Sequence, residues 1–114
     1  IRASAQSTRE QAVVEFQDKT LVAGVVLQGK YLVVHDEALS AKGEPCFRVY
    51  QYVEGKEAAA AQSEKPVVAF HCQPVDRKKA TDLVTTVGMS EGGLLVLREI
   101  QFAGSEKGHK IPEA

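Results

Sequence analysis

A chain of 114 residues fits one ordinary domain and leaves no room for two. Hydrophobic residues make up 44% and charged residues 25%, values of a globular domain rather than a disordered one. A formal net charge of -1 argues against a nucleic-acid binder, and no apolar run approaches the ~18 residues of a membrane span.

Residues 1–10 are polar, lack periodicity and read as a loose lead-in to a single β domain spanning 1–114. Within them, Ala3-Ser4-Ala5 is an A-x-A pattern of the kind that precedes a signal-peptidase cut, which predicts a secreted or periplasmic protein. Residues 11–17 alternate in part, with Ala12, Val14 and Phe16 on one side, and their β-branched content favours a strand, although a short helix would also fit. Residues 20–26 predict a Val-rich strand with a bulge or bend at Gly24. Leu27-Gln28-Gly29-Lys30 reads as a tight turn, because Gly29 can take φ > 0.

Residues 31–35 form the clearest strand of the first half, and residues 36–44 a loop closed by Pro45. Residues 46–53 predict a strand with Cys46, Arg48, Tyr50 and Tyr52 on one face. The Ala-rich stretch 54–65 has no large apolar stripe and reads as a surface excursion. Residues 66–73 predict a strand fenced by Pro66 and Pro74. Arg77-Lys78-Lys79, flanked by Asp76 and Asp82, reads as a solvated loop. Residues 83–87 and 94–102 predict two more strands around a turn at 88–93, with a bulge at Arg98 and Glu99. The chain then turns at 104–108 and trails off past Pro112.

About seven strands without helical periodicity between them predict an all-β, single-domain antiparallel β-sandwich. A small closed β-barrel is the alternative.

Leu27-Gln28-Gly29-Lys30-Tyr31 resembles, one residue short before the glycine, a Leu-x-x-Gly-x-Tyr feature of small secreted bacterial β-sandwich proteins of unknown function. Val68-Ala69-Phe70-His71-Cys72 and Glu99-Ile100-Gln101-Phe102-Ala103-Gly104 are similar to the same group. The resemblance covers about two-thirds of the chain. It implies an exported all-β protein and no catalytic residues.

Four groups of residues are candidates for chemistry. Cys46 and Cys72 fit a disulfide: if strands 46–53 and 66–73 pair antiparallel with Cys46 opposite Cys72, the two lie within bridging distance. With His35 opposite Cys46 across a hairpin, His35, Cys46 and Cys72 would instead offer a metal one imidazole and two thiolates. Gly88-Met89-Ser90-Glu91-Gly92 matches the G-x-S-x-G of serine hydrolases, but a strand pattern follows where that chemistry needs a helix. Tyr31, Tyr50 and Tyr52 could line a ligand patch, although tyrosines are equally at home packed in strands.

The leading expectation is a non-catalytic, exported binding or structural module for another protein, a surface glycan or a small ligand, with no cofactor. A metal-holding protein using His35, Cys46 and Cys72 is the first alternative. A small serine hydrolase using Ser90 is the second.

Overall fold

A computed structural model describes residues 9–54, 65–71 and 73–113 of the chain. The expected surface excursion falls mostly outside the described residues, as do Ala3-Ser4-Ala5 and Cys72.

The chain opens with a long antiparallel hairpin of β1 (Arg9–Val22) and β2 (Val25–Asp36). Its reversal lies at Ala23 and Gly24, where φ is 49° and 88°. Positive φ at both central residues is the two-residue hairpin turn whose twist matches that of the strands. Gly24 therefore ends a strand where a bend inside one was expected. The tight turn expected at 27–30 is correspondingly absent, and those residues run on as strand. Gly29 does take positive φ, at 107°, but within β2 and opposite Phe16. The register shifts between Phe16 and Thr20, so three residues of β1 face Gln28 alone. The glycine's left-handed freedom serves a bulge, which bends and twists the hairpin.

β3 (Phe47–Gln51) pairs antiparallel with β2, and β4 (Val68–Phe70) with β3. A short helix, α1 (Glu37–Ala41), occupies the expected loop; the Asp36 side chain caps it by accepting from the Ala38 N–H at 3.0 Å. Then come β5 (Gln73–Asp76), β6 (Val84–Met89), β7 (Leu95–Gln101) and β8 (Lys107–Lys110). The strand expected over 66–73 is thus split between β4 and β5, while β8 begins inside the turn expected at 104–108 and runs on past it.

The fold is all-β, as the strand pattern predicts, but it is neither a two-layer sandwich nor a closed barrel. One mixed sheet in the order β4-β3-β2-β1-β7-β8-β5, with β6 on β7, curls into a half-barrel. β1 and β7 are parallel, through Thr20↔Leu95 and Leu21↔Val96. Strands of 14 and 12 residues carrying a bulge coil far enough to fold the sheet's inner face onto itself. That inner face holds the core. Phe47 is completely buried and stacks on Phe70 at 5.2 Å and Phe102 at 5.9 Å, with Val33, Val49, Leu97 and Ile100 around it. Leu32, Val34 and Tyr50 make a smaller buried cluster.

The expected bulge at Arg98 is present: Thr86 pairs with Glu99, but Val87 pairs with Leu97. The freed Arg98 carbonyl accepts from the Ile111 N–H at 2.9 Å, which pins the segment after β8.

Candidate metal centre

Side-chain alternation decides which residues reach the inner face. Ala12, Val14 and Phe16 point inward from β1, and Glu10 continues that row one step further back. From β2, Tyr31 and Val33 point inward, and His35 continues their row. β8 pairs antiparallel with β7, setting His109 opposite the buried Ile100. Three strands thus deliver Glu10, His35 and His109 to one end of the core.

The three side chains meet. Glu10 Oε1 lies 3.3 Å from His35 Nδ1 and 4.0 Å from His109 Nε2. One donor atom from each residue falls within 4.8 Å of the others. Around a tetrahedral ion with bonds of 2.0–2.1 Å, donor atoms stand about 3.3–3.5 Å apart, so a small inward movement closes this set on a metal. The imidazole rings lie 4.1 Å apart, walled by Phe47 and Phe102. Both histidine side chains are about nineteen-twentieths buried, at 4% and 5% exposure, whereas Glu10 is 32% exposed.

The electrostatics leave the set without its own balance. Burial lowers the His35 pKa, with Asp36 opposing. Burial and then the neighbouring His35 push His109 down to about 4. Burial and then the charge of Glu37 raise Glu10. Each of these shifts disfavours the charged form of its group. His35 Nδ1 is buried and, despite its closeness to Glu10, has no hydrogen-bond partner. A buried polar atom without a partner costs about 1–3 kcal/mol. The other ring nitrogen, Nε2, lies 3.5 Å from a carboxylate oxygen of Glu37 at the start of α1. A proton on Nε2 beside Glu37 leaves the Nδ1 lone pair free to ligate, the arrangement in which a second carboxylate orients a metal-bound histidine. Two imidazoles, one of them with an unpartnered ring nitrogen, and a carboxylate that gains from a nearby cation fit a divalent first-row metal.

The ligand set read from the sequence differs. His35 belongs to the cluster, but Cys46 does not, and Cys72 lies outside the described residues. His35 pairs with Phe47, one residue away from the register that would set it against Cys46; the Asp36 N–H donates to the Cys46 carbonyl instead. The β3–β4 pairing is the expected one, but it too is displaced by one residue, joining Phe47 to Phe70 and Arg48 to Ala69. Cys46 is a free, buried thiol, so the expected disulfide is not formed. A one-residue slip exchanges the two faces of a strand, which is why an otherwise correct pairing misplaces both cysteine proposals.

Ser90 sits in the turn between β6 and β7. Its Oγ accepts from the Leu94 N–H at 3.0 Å and its N–H donates to the Leu94 carbonyl at 2.7 Å, so it closes a hairpin. The three tyrosines do not form one patch. Tyr31 packs on Phe16 at 6.0 Å, whereas Tyr50 pairs with Leu32 and faces the opposite side of the sheet.

Sequence reasoning missed Glu10 and His109 because both lie in segments read as tails. The signal was present in each. Glu10 is in phase with Ala12, Val14 and Phe16, and His109 is in phase with Ile111. No family model, curated protein or solved structure matches the chain.

Proposed function

We propose that this protein is a metal-holding module whose ion is bound by Glu10, His35 and His109. The observation that carries the reading is the buried His35 Nδ1, which has no hydrogen-bond partner while lying 3.3 Å from a carboxylate oxygen and beside a second buried imidazole. Two imidazoles and one carboxylate suit zinc, and equally iron, cobalt or nickel in the divalent state. The reading keeps the non-catalytic, exported binding module expected from the sequence and gives it a ligand.

The test is metal content. Protein stripped with a chelator, then incubated with zinc and desalted, is expected to retain one ion per chain by elemental mass spectrometry. Loss of that ion in His35→Ala and His109→Ala, with the strand signature in circular dichroism retained, supports the site. Sub-stoichiometric metal in the intact protein sinks it.

A further inference from the structure

Among the described residues the site has three ligands, which leaves the fourth position of a tetrahedral ion open, the pattern of open rather than structural sites. Access to that position is uneven. Phe47 and Phe102 pack against both imidazoles, and the imidazoles themselves are buried. Glu10 is the one member of the set with substantial solvent exposure, at 32%. It also borders a cavity of about 230 Å³, together with Gln11, Ala12, Leu83, Phe102 and Ala103. Glu10 and Phe102 therefore belong to the wall of the cavity and to the surroundings of the ion at once.

We infer that this cavity is the entry and binding site for a small metal-coordinating ligand: an anionic head that reaches the ion, on a short apolar tail. The inference rests on the metal reading above and adds its ligand class. The volume is below the ~300 Å³ at which sites for drug-sized molecules begin, so the ligand has few carbons. Ala12, Leu83, Phe102 and Ala103 give the tail an apolar wall. A carboxylate head matches a divalent cation and gains nothing from the protein without one, because Glu10 would repel it. The ion is thus the condition for binding.

The test uses protein loaded with cobalt(II), whose visible absorption reports its coordination. Acetate and butyrate are the probes. Both are expected to change the cobalt spectrum, with butyrate binding more tightly by about four-fold for each added methylene. Ala103→Phe, at the exposed rim, is expected to take up cobalt normally and to lose the advantage of butyrate over acetate. Ala12→Phe, deeper in the cavity, is expected to do the same. If cobalt binds stoichiometrically but butyrate leaves its spectrum unchanged, the inference fails and the metal reading stands. If Ala103→Phe and Ala12→Phe both respond to butyrate as the parent does, the ligand enters elsewhere and the inference fails. If no cobalt binds, both fall together.

Discussion

Glu10 lies directly opposite His35 in the β1–β2 ladder, and their side chains meet at 3.3 Å on the inner face of the sheet. Two of the three proposed ligands are therefore fixed by the register of a single hairpin. Glu10→Gln keeps the shape and removes the charge, and is expected to weaken zinc binding by more than the ~10–100-fold typical of an outer-shell partner. Glu37→Gln touches only the far nitrogen of His35 and is expected to fall within that range. Competition against a chromophoric chelator measures both. Unchanged affinity in Glu10→Gln would remove it from the ligand set.

Phe47 is the centre of the core, stacked between Phe70 and Phe102 and touching both imidazoles. Phe47→Ala is expected to cost about 3–5 kcal/mol, the range for truncating a fully buried aromatic. Urea unfolding of metal-free protein gives the number. A loss below about 1 kcal/mol would show a core that collapses around the gap.

Arg77 clamps Glu99 with two hydrogen bonds of 2.8 Å. Hydrogen bonding from Arg77 holds the Glu99 carboxyl below its ordinary 4.5. A depressed folded pKa stabilises the protein above the unfolded value, and that stability is lost as pH falls through the folded value. Glu99→Gln is thus expected to be less stable than the parent at pH 6, and the difference is expected to shrink as pH falls through the folded pKa of Glu99. Urea midpoints across that window check it. A difference that persists unchanged to pH 3 would assign the effect to packing.

Gly108 makes the clamp possible, because a Cβ there would stand 2.1 Å from a Glu99 carboxylate oxygen. Gly108→Ala is expected to displace Glu99 from Arg77 and to reproduce most of the pH dependence of Glu99→Gln. Retention of the parent's acid profile in Gly108→Ala would show that the carboxylate moves aside without losing Arg77.

Cys46 is a free thiol at 3% exposure. It is expected to react with a thiol reagent only slowly in the native protein and rapidly in denaturant, without prior reduction. Prompt labelling of native protein at Cys46 would contradict its burial.

The strand content was legible because β-branched runs such as Tyr31 to His35 announce themselves, and so was the bulge at Arg98. The overall shape was not. Whether strands stack as two layers or coil as one sheet depends on accumulated twist and on the parallel pairing of Thr20 with Leu95, which no local pattern encodes. Register was the second blind point. Both cysteine proposals named a true strand pair and missed by one residue, and alternation gives no warning when polar and apolar residues share both faces, as at Cys46 to Tyr50. Of the ligand set, His35 was singled out from sequence. Glu10 and His109 were legible only in phase with their neighbours, and short polar segments near chain ends suppress that signal.

The parallel contact between β1 and β7 also sets an order of events. The β1–β2 hairpin closes on a two-residue turn, a local step on the scale of about 1–10 μs. Joining Thr20 to Leu95 must close a far longer loop first, and such non-local pairings form slowly. His109 rides on β8, which docks on β7. Glu10 and His35 therefore face each other early in folding, while the third ligand arrives with the last ladders. The proposed ion would have nothing complete to hold until the late pairings form. Its effect is therefore expected on the unfolding rate, leaving the folding rate nearly untouched.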